Sequence, residues 1–270
     1  VERLAGIGLI ATSSRALKPA RLARPRACAE AVEALASAGA AAVLVAGGTD
    51  LVAQVNEGLK PDLLVTLDGV DELRSVELTA DAILIGSCVT HAVGSTHPLI
   101  RAHLPGFADA WTRIANVRVR YWATIGGNLM ARRTRYEMSI LLSALGATLH
   151  FETSAGPLAM EPQELWAASL PAGAVLRHVA VPRRDATPFR YDRSLRPIMT
   201  LAVNLAPERR CAVVATEWLR PCILPIPTGS DAAAAFAALP DSFGDVATSA
   251  WYLRRAGQAL LDRHLRAVHG

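Results

Sequence analysis

Apolar positions along this chain fall in short blocks whose period changes from block to block. Residues 27–38 place Ala, Val and Leu at helical spacing between Pro25 and Gly39, which predicts a helix stopped by glycine. Val43-Leu44-Val45-Ala46 is continuously apolar and short, the pattern of a buried strand. Gly47-Gly48 then turns the chain, and Thr49 or Asp50 caps a short helix that runs to about residue 57, with Gly58 past its end. Residues 63–67, after Pro61, read as a second buried strand. Strand, glycine turn, helix and strand together make an α/β unit.

The next block, Ile83-Leu84-Ile85-Gly86, predicts another strand, and Thr90 or His91 opens a helical stretch. Residues 99–116 carry helical periodicity through Phe107, Ala110, Trp111 and Ile114, interrupted at Pro105. A second glycine turn follows. Residues 136–145 then predict a helix ended by Gly146, 148–152 a strand, 161–166 a short helix and 174–181 a strand. Residues 182–188 are polar and bracketed by prolines, and make the best boundary. Beyond it, 199–205 and 211–218 predict two antiparallel strands around a Pro-Glu-Arg-Arg turn, 232–239 a small helix and 245–268 a long one. Domains of 1–182 and 188–270 are therefore expected, the first split into subdomains of about 1–60 and 61–182, with an α+β lobe at the end.

Composition narrows the class. Hydrophobic residues make up 51% of the 270, enough for a sizeable core, and 19% charged argues against disorder. The net charge of +4 comes almost entirely from arginine, the only lysines being Lys18 and Lys60. Such a mild excess fits an anionic cofactor or an acidic partner. Without a basic tract interleaved with aromatics it does not point to nucleic acid. Cys28, Cys88, Cys211 and Cys222 are scattered and form no C-x-x-C pair, so they read as free thiols rather than metal or iron–sulfur ligands. No apolar run is long enough to span a membrane, and residues 1–18 make a poor signal peptide, so a cytoplasmic protein is expected. His91, His97 and His103, spaced by six, suit no single helical face and read as surface or capping residues. Trp111, Trp122 and Trp166 read as core or interface, and Asp68, Asp71 and Glu72 as a solvated turn.

The candidate chemistry lies in the two glycine turns, Ala46-Gly47-Gly48-Thr49-Asp50-Leu51 and Thr124-Ile125-Gly126-Gly127-Asn128. One Gly-Gly pair is ordinary turn chemistry. Two, each fed by an apolar run and carrying a small polar side chain, suit a pyrophosphate, because glycine lets backbone N–H groups approach closely and tolerates positive φ. A helix beginning at the turn adds about 0.3–1 kcal/mol of dipole attraction for an anion. Neither a G-x-x-x-x-G-K-S/T loop nor G-x-G-x-x-G is present, which disfavours Walker and nicotinamide-type sites.

Residues 43–77, 82–98 and 114–131, which contain both turns, resemble in order the FAD-binding medium subunit of molybdenum hydroxylases, the xanthine dehydrogenase and carbon monoxide dehydrogenase flavoprotein family. The likeness runs from Arg24-Pro25 to about Pro182. It continues more weakly to Tyr252-Leu253-Arg254-Arg255, which is similar to the family's C-terminal Tyr-Arg-Arg helix. The resemblance implies an α+β protein: a vanillyl-alcohol-oxidase-type fold of two α/β subdomains around FAD, followed by a small α+β lobe. It makes Ala46, Gly47, Gly48, Thr49, Asp50 and Leu51 the first pyrophosphate loop and Thr124, Ile125, Gly126, Gly127 and Asn128 the second. Arg120 then braces the second loop, and Glu137 stands where the family has an acid on the ribityl or ribose side of FAD.

Two segments depart from the family pattern. Arg132, Arg133 and Arg135 crowd the loop before Glu137, with Thr134 in place of a proline; they read either as a solvated basic face or as charge directed at reduced flavin or an acidic partner. Residues 191–197 lack the family's lysine, for which Arg193 is a candidate substitute, and Thr200 stands at the likely position of an acid. The implied function is electron transfer. A molybdopterin-bearing large subunit oxidises the substrate, 2Fe–2S clusters of a small subunit carry the electrons, and this chain's FAD passes them to NAD, a quinone, oxygen or another carrier. A separate subunit within a heterotrimer is expected, with no catalytic acid or base and no metal of its own. The alternative is an assembly subunit of the same fold that binds FAD weakly or not at all.

Overall fold

The computed structural model describes residues 19–171, 173–183, 188–193, 198–216, 219–229, 231–244 and 248–269. Residues 1–18, most of the 182–188 boundary, residues 194–197, Trp218 and the first residues expected of the last helix lie outside the described residues.

The first layer is a parallel three-stranded sheet. Its strands β1 (Arg21–Ala23), β2 (Ala42–Val45) and β3 (Leu63–Thr66) lie in the order β1-β3-β2. Helix α1 (Cys28–Ala38) buries Cys28, Ala31, Val32 and Leu35, spaced three and four apart, on a core shared with Val65 and Leu67. Helix α2 (Thr49–Asn56) is the crossover that the parallel pairing of β2 and β3 demands.

A five-stranded antiparallel sheet follows, ordered β4-β5-β8-β6-β7. It comprises β4 (Val76–Leu78), β5 (Ala82–Gly86), β6 (Thr148–Thr153), β7 (Gly156–Met160) and β8 (Val175–Pro182). Between β5 and β6 the chain makes six helices: α3 (His91–Thr96), α4 (Pro98–His103), α5 (Pro105–Thr112), α6 (Val117–Arg120), α7 (Ile125–Met130) and α8 (Met138–Leu145). The periodic stretch 99–116 is broken at Leu104, because Pro105 starts a new helix at its own first position and cannot continue the old one. The helix expected over 161–166 is only a 3-10 turn, Glu164–Trp166.

The last sheet is antiparallel, ordered β12-β11-β10-β9, from β9 (Phe189–Arg193), β10 (Thr200–Asn204), β11 (Cys211–Ala215) and β12 (Cys222–Pro225). Helices α9 (Ala232–Ala237) and α10 (Ala250–His269) cover it. Every residue of β10 and β11 is buried because both faces are packed. Leu201, Val203, Ala212 and Val214 meet the core of α9 and α10, while Ala202, Val213 and Ala215 join the main core. Helix α8, buried along its whole length, fills the space between this sheet and the five-stranded one. Its C-terminal carbonyls are satisfied from the last sheet: Asn204 Nδ2 donates to Ala144 O at 2.9 Å and Arg209 donates to Ser143 O.

Candidate functional site

The first glycine turn leaves β2 and enters α2. Gly48 takes the left-handed conformation (φ 72°, ψ −7°) that places it at the helix N-cap, where a residue with a Cβ would be strained. No side chain caps this helix, and the amides of residues 47–51 have no protein acceptor among the described residues. A run of unpaired N–H groups at a helix N-terminus, next to a left-handed glycine, is an anion-binding concavity.

The second turn is built differently. It is the start of α7, and its amides are already used. Ile125 N donates to Val89 O, Gly126 N to Ser87 O, Gly127 N to Thr124 Oγ1 at 3.0 Å, and Asn128 N to Thr124 O. Gly126 is a glycine because a Cβ would lie 2.7 Å from the Ser87 backbone oxygen. The expectation of bare amides therefore holds for the first turn and not for the second, which offers the cleft the Thr124 and Asn128 side chains. Ile125 is fully buried beneath the turn, in the main core.

The turns touch each other. A Cβ on Gly47 would fall 1.8 Å from the Trp122 carbonyl oxygen, so this glycine is required for one turn to pass over the other. Between and below them opens a cleft of about 960 Å³, at the upper end of the range for cofactor sites. Of the residues singled out in the two turns, all but Ile125 line it, and so does Glu137.

Two of the three arginines in the loop after α7 act as a lock, while Arg135 is exposed. Asp50 Oδ1 accepts from Tyr136 Oη at 2.9 Å and from Arg133 Nε at 3.2 Å, and Asp50 Oδ2 accepts from Gln54 at 2.5 Å. Burial alone would raise this carboxyl, but the Gln54 and Tyr136 hydrogen bonds and the Arg133 charge hold it below the usual carboxylate range. Arg132, itself left-handed at φ 48°, donates to Ala168 O at 3.1 Å. Of the three arginines only Arg135 lines the cleft. The turn before α2 and the loop after α7 are thus tied together across the cleft.

Glu137 is buried and accepts from Tyr191 Oη at 3.1 Å and Arg193 Nη1 at 3.0 Å, both on Oε1. Arg193 reaches the cleft wall, but as the counter-ion of Glu137. Arg120 makes no bond to the second turn itself. It donates to the carbonyls of Trp111, Ile114 and His91 and to Ser95 Oγ, holding α3, α5 and α6 together behind the turn. His91, read from sequence as surface or capping, is fully buried and lines the cleft. Its spacing from other histidines carried no signal; its place directly after the capping Thr90, which pairs with Thr124, is what brings it here. Glu72, read as solvated, accepts from Cys28 N at the start of α1 and pairs with Arg177. Among the described residues, no three His, Cys, Asp or Glu side chains form a metal-holding group, and no helix is long and apolar enough to cross a membrane.

The geometry fits an elongated anionic cofactor: unpaired amides at one turn, the Thr124 and Asn128 side chains at the other, and apolar walls from β2, α6 and β8. Residues 17–184 match the family model described as the FAD binding domain in molybdopterin dehydrogenase. Over 170 residues the chain is 26% identical to the caffeine dehydrogenase subunit beta of Pseudomonas sp. (strain CBB1), covering 62% of this chain and 58% of that protein. It is 28% identical over 151 residues to the nicotinate dehydrogenase FAD-subunit of Eubacterium barkeri, covering 53% and 51%. The chain thus spans between half and three-fifths of the length of these curated relatives. The solved structure of quinoline 2-oxidoreductase from Pseudomonas putida 86 superposes with a TM-score of 0.81 at 23% identity, over 94% of this chain and 99% of that one, a likeness of fold.

Proposed function

Because the chain belongs to the family of FAD-binding domains of molybdopterin dehydrogenases, we propose that it is the FAD-carrying electron-transfer subunit of a multi-subunit molybdenum hydroxylase. The observation that carries this reading is the row of unpaired amides at residues 47–51, facing a cleft that the second glycine turn closes from the other side. The mixed helix and sheet architecture is read as the vanillyl-alcohol-oxidase type. Its two FAD-clasping subdomains are about 1–60 and 61–182, and residues 188–270 form the C-terminal lobe.

FAD, when bound, supplies the redox chemistry. The chain's own work is to hold it: Ala46 to Leu51 receive the pyrophosphate on backbone amides and the α2 dipole, and Thr124, Gly126, Gly127 and Asn128 close over it, with Ile125 as their buried support. Glu137, whose Oε1 is taken by Tyr191 and Arg193, would hold the ribityl or ribose side of the cofactor. No side chain need act as acid or base. In the complex, a molybdopterin-bearing large subunit and a small subunit with 2Fe–2S clusters deliver electrons, an external acceptor removes them, and the assembly works in the cytoplasm.

The weakly binding assembly subunit loses its motive, since Arg133 and Arg132 are engaged by Asp50 and Ala168. The test is the visible absorption spectrum of the purified chain, before and after addition of FAD. Flavin bands that stay with the protein through gel filtration are expected. A protein that remains colourless after FAD addition overturns the reading.

A further inference from the structure

Two side chains in the cleft wall ask more of one imidazole than it can give. His91 is fully buried, and its ring lies between Trp111 and Asn128. Trp111 Nε1, which can only donate, donates to His91 Nδ1 at 2.8 Å. Nδ1 therefore carries a lone pair. Burial, and then the nearby Arg120 charge, push this histidine down to about 4, so at neutral pH the ring holds one proton, on Nε2. Nε2 in turn faces Asn128 Nδ2 at 3.5 Å, while Asn128 Oδ1 accepts from Met138 N at 3.4 Å. Two donors thus meet with no acceptor between them. Turning the Asn128 amide over only moves the conflict, since Nδ2 would then face the Met138 N–H. One N–H is left over in either arrangement, and a buried unmatched donor is costly. Both His91 and Asn128 line the cleft.

We propose that His91 Nε2–H and the Asn128 side-chain amide form a two-donor fork for one oxygen of the bound ligand, and that this oxygen belongs to the pyrophosphate of FAD. The inference rests on the FAD-binding reading and adds to it a residue outside both glycine turns. The position favours the pyrophosphate over the flavin ring. Asn128 lies in the first turn of α7, whose cap Thr124 pairs with Thr90, the residue before His91. Across the Gly47–Trp122 contact lie the unpaired amides of the first turn. An oxygen between His91 and Asn128 therefore sits on the side of the cleft where the two turns converge. The histidine acts there as a neutral donor, and the helix dipole of α2 supplies the positive potential.

The test separates the two faces of the ring. In His91→Asn the amide stands where Nδ1 was, so the Trp111 N–H keeps an acceptor while the donor at Nε2 is lost. His91→Gln restores a donor at the Nε2 position. Binding of FAD and of riboflavin to the apoprotein is followed by flavin fluorescence, with thermal unfolding of each apoprotein alongside. His91→Asn is expected to weaken FAD about ten- to a hundredfold, the worth of a hydrogen bond to a charged group. Riboflavin, which has no phosphate, should change by less than about threefold, and His91→Gln should recover most of the FAD affinity. A His91→Asn protein that binds FAD as the wild type does overturns the fork. Equal losses for FAD and riboflavin overturn the pyrophosphate assignment. A wild-type protein that binds neither flavin overturns the FAD reading and this inference with it.

Discussion

A methyl group added at Gly47 would overlap the Trp122 carbonyl oxygen at 1.8 Å, whereas one added at Gly127 meets only the Thr124 hydroxyl at 3.1 Å. Two glycines that look alike in the sequence thus carry different burdens. Gly47→Ala should lower thermal stability and empty the protein of FAD, because one turn must lift off the other. Gly127→Ala should fold normally, and its flavin content reports contact with the ligand alone. Equal melting temperatures for the two variants would contradict this. Asp50→Asn should loosen the loop after α7 at a cost of about 1–3 kcal/mol, since a charge-assisted bond to Arg133 is lost; chemical denaturation measures it. His91 and His264 both sit near 4 in the folded state, chiefly through burial. For His264, the charges of Arg263, Arg190 and Arg113 add to the effect of burial. Both folded values lie below the unfolded one, about 6.5, so as pH falls the unfolded chain takes up these protons first. Their contribution is complete above about pH 6.5 and is lost on descent towards 4, on the order of 3 kcal/mol for His91. A denaturation midpoint that stays constant between about pH 7 and about pH 4.5 would sink this prediction.

At the level of elements, the apolar pattern marks every interior strand of the three sheets, and it marks the glycine-stopped helices α1 and α8. The strands it leaves unmarked, β1, β4, β7, β9 and β12, are all sheet edges. An edge strand pairs on one side only and is often short or half exposed, so it needs no continuous apolar run. The burial of β1, β4 and β7 shows this directly. The short helices α6 and α7 are also unmarked, because each is too short to show a helical period: α6 is a single turn set by its cap Asn116 with no buried face, and α7, capped by Thr124, buries only Ile125, Gly126 and Leu129. Position within a sheet also explains Asn204. It looks like an ordinary strand end, yet it is fully buried, donating to Ala144 O at the end of α8 and accepting from Ala206 N. Asn204→Ala strands both groups and should cost about 1–3 kcal/mol in denaturant unfolding.

Across the whole molecule, α8 and the shared faces of β10 and β11 make one core out of residues from Ile83 to Ala215. Asp192 adds a polar seam, reached by Arg113 from the helical region and by Arg263 and His264 of α10. The C-terminal lobe should therefore unfold together with the FAD-binding part. A single thermal transition, coincident in far- and near-ultraviolet circular dichroism, is expected, and two separated transitions would refute the shared core. What the sequence by itself determined is local: the strand, glycine turn and helix of the first unit, the second glycine turn, and the family likeness those residues carry. Such features depend on backbone freedom and short-range period, which the chain order records. The tertiary structure alone decided which amides remain unpaired, that Arg133 answers Asp50 and Arg193 answers Glu137, and that His91 lies buried against Asn128. Those partners are far apart in the chain, so only packing could bring them together.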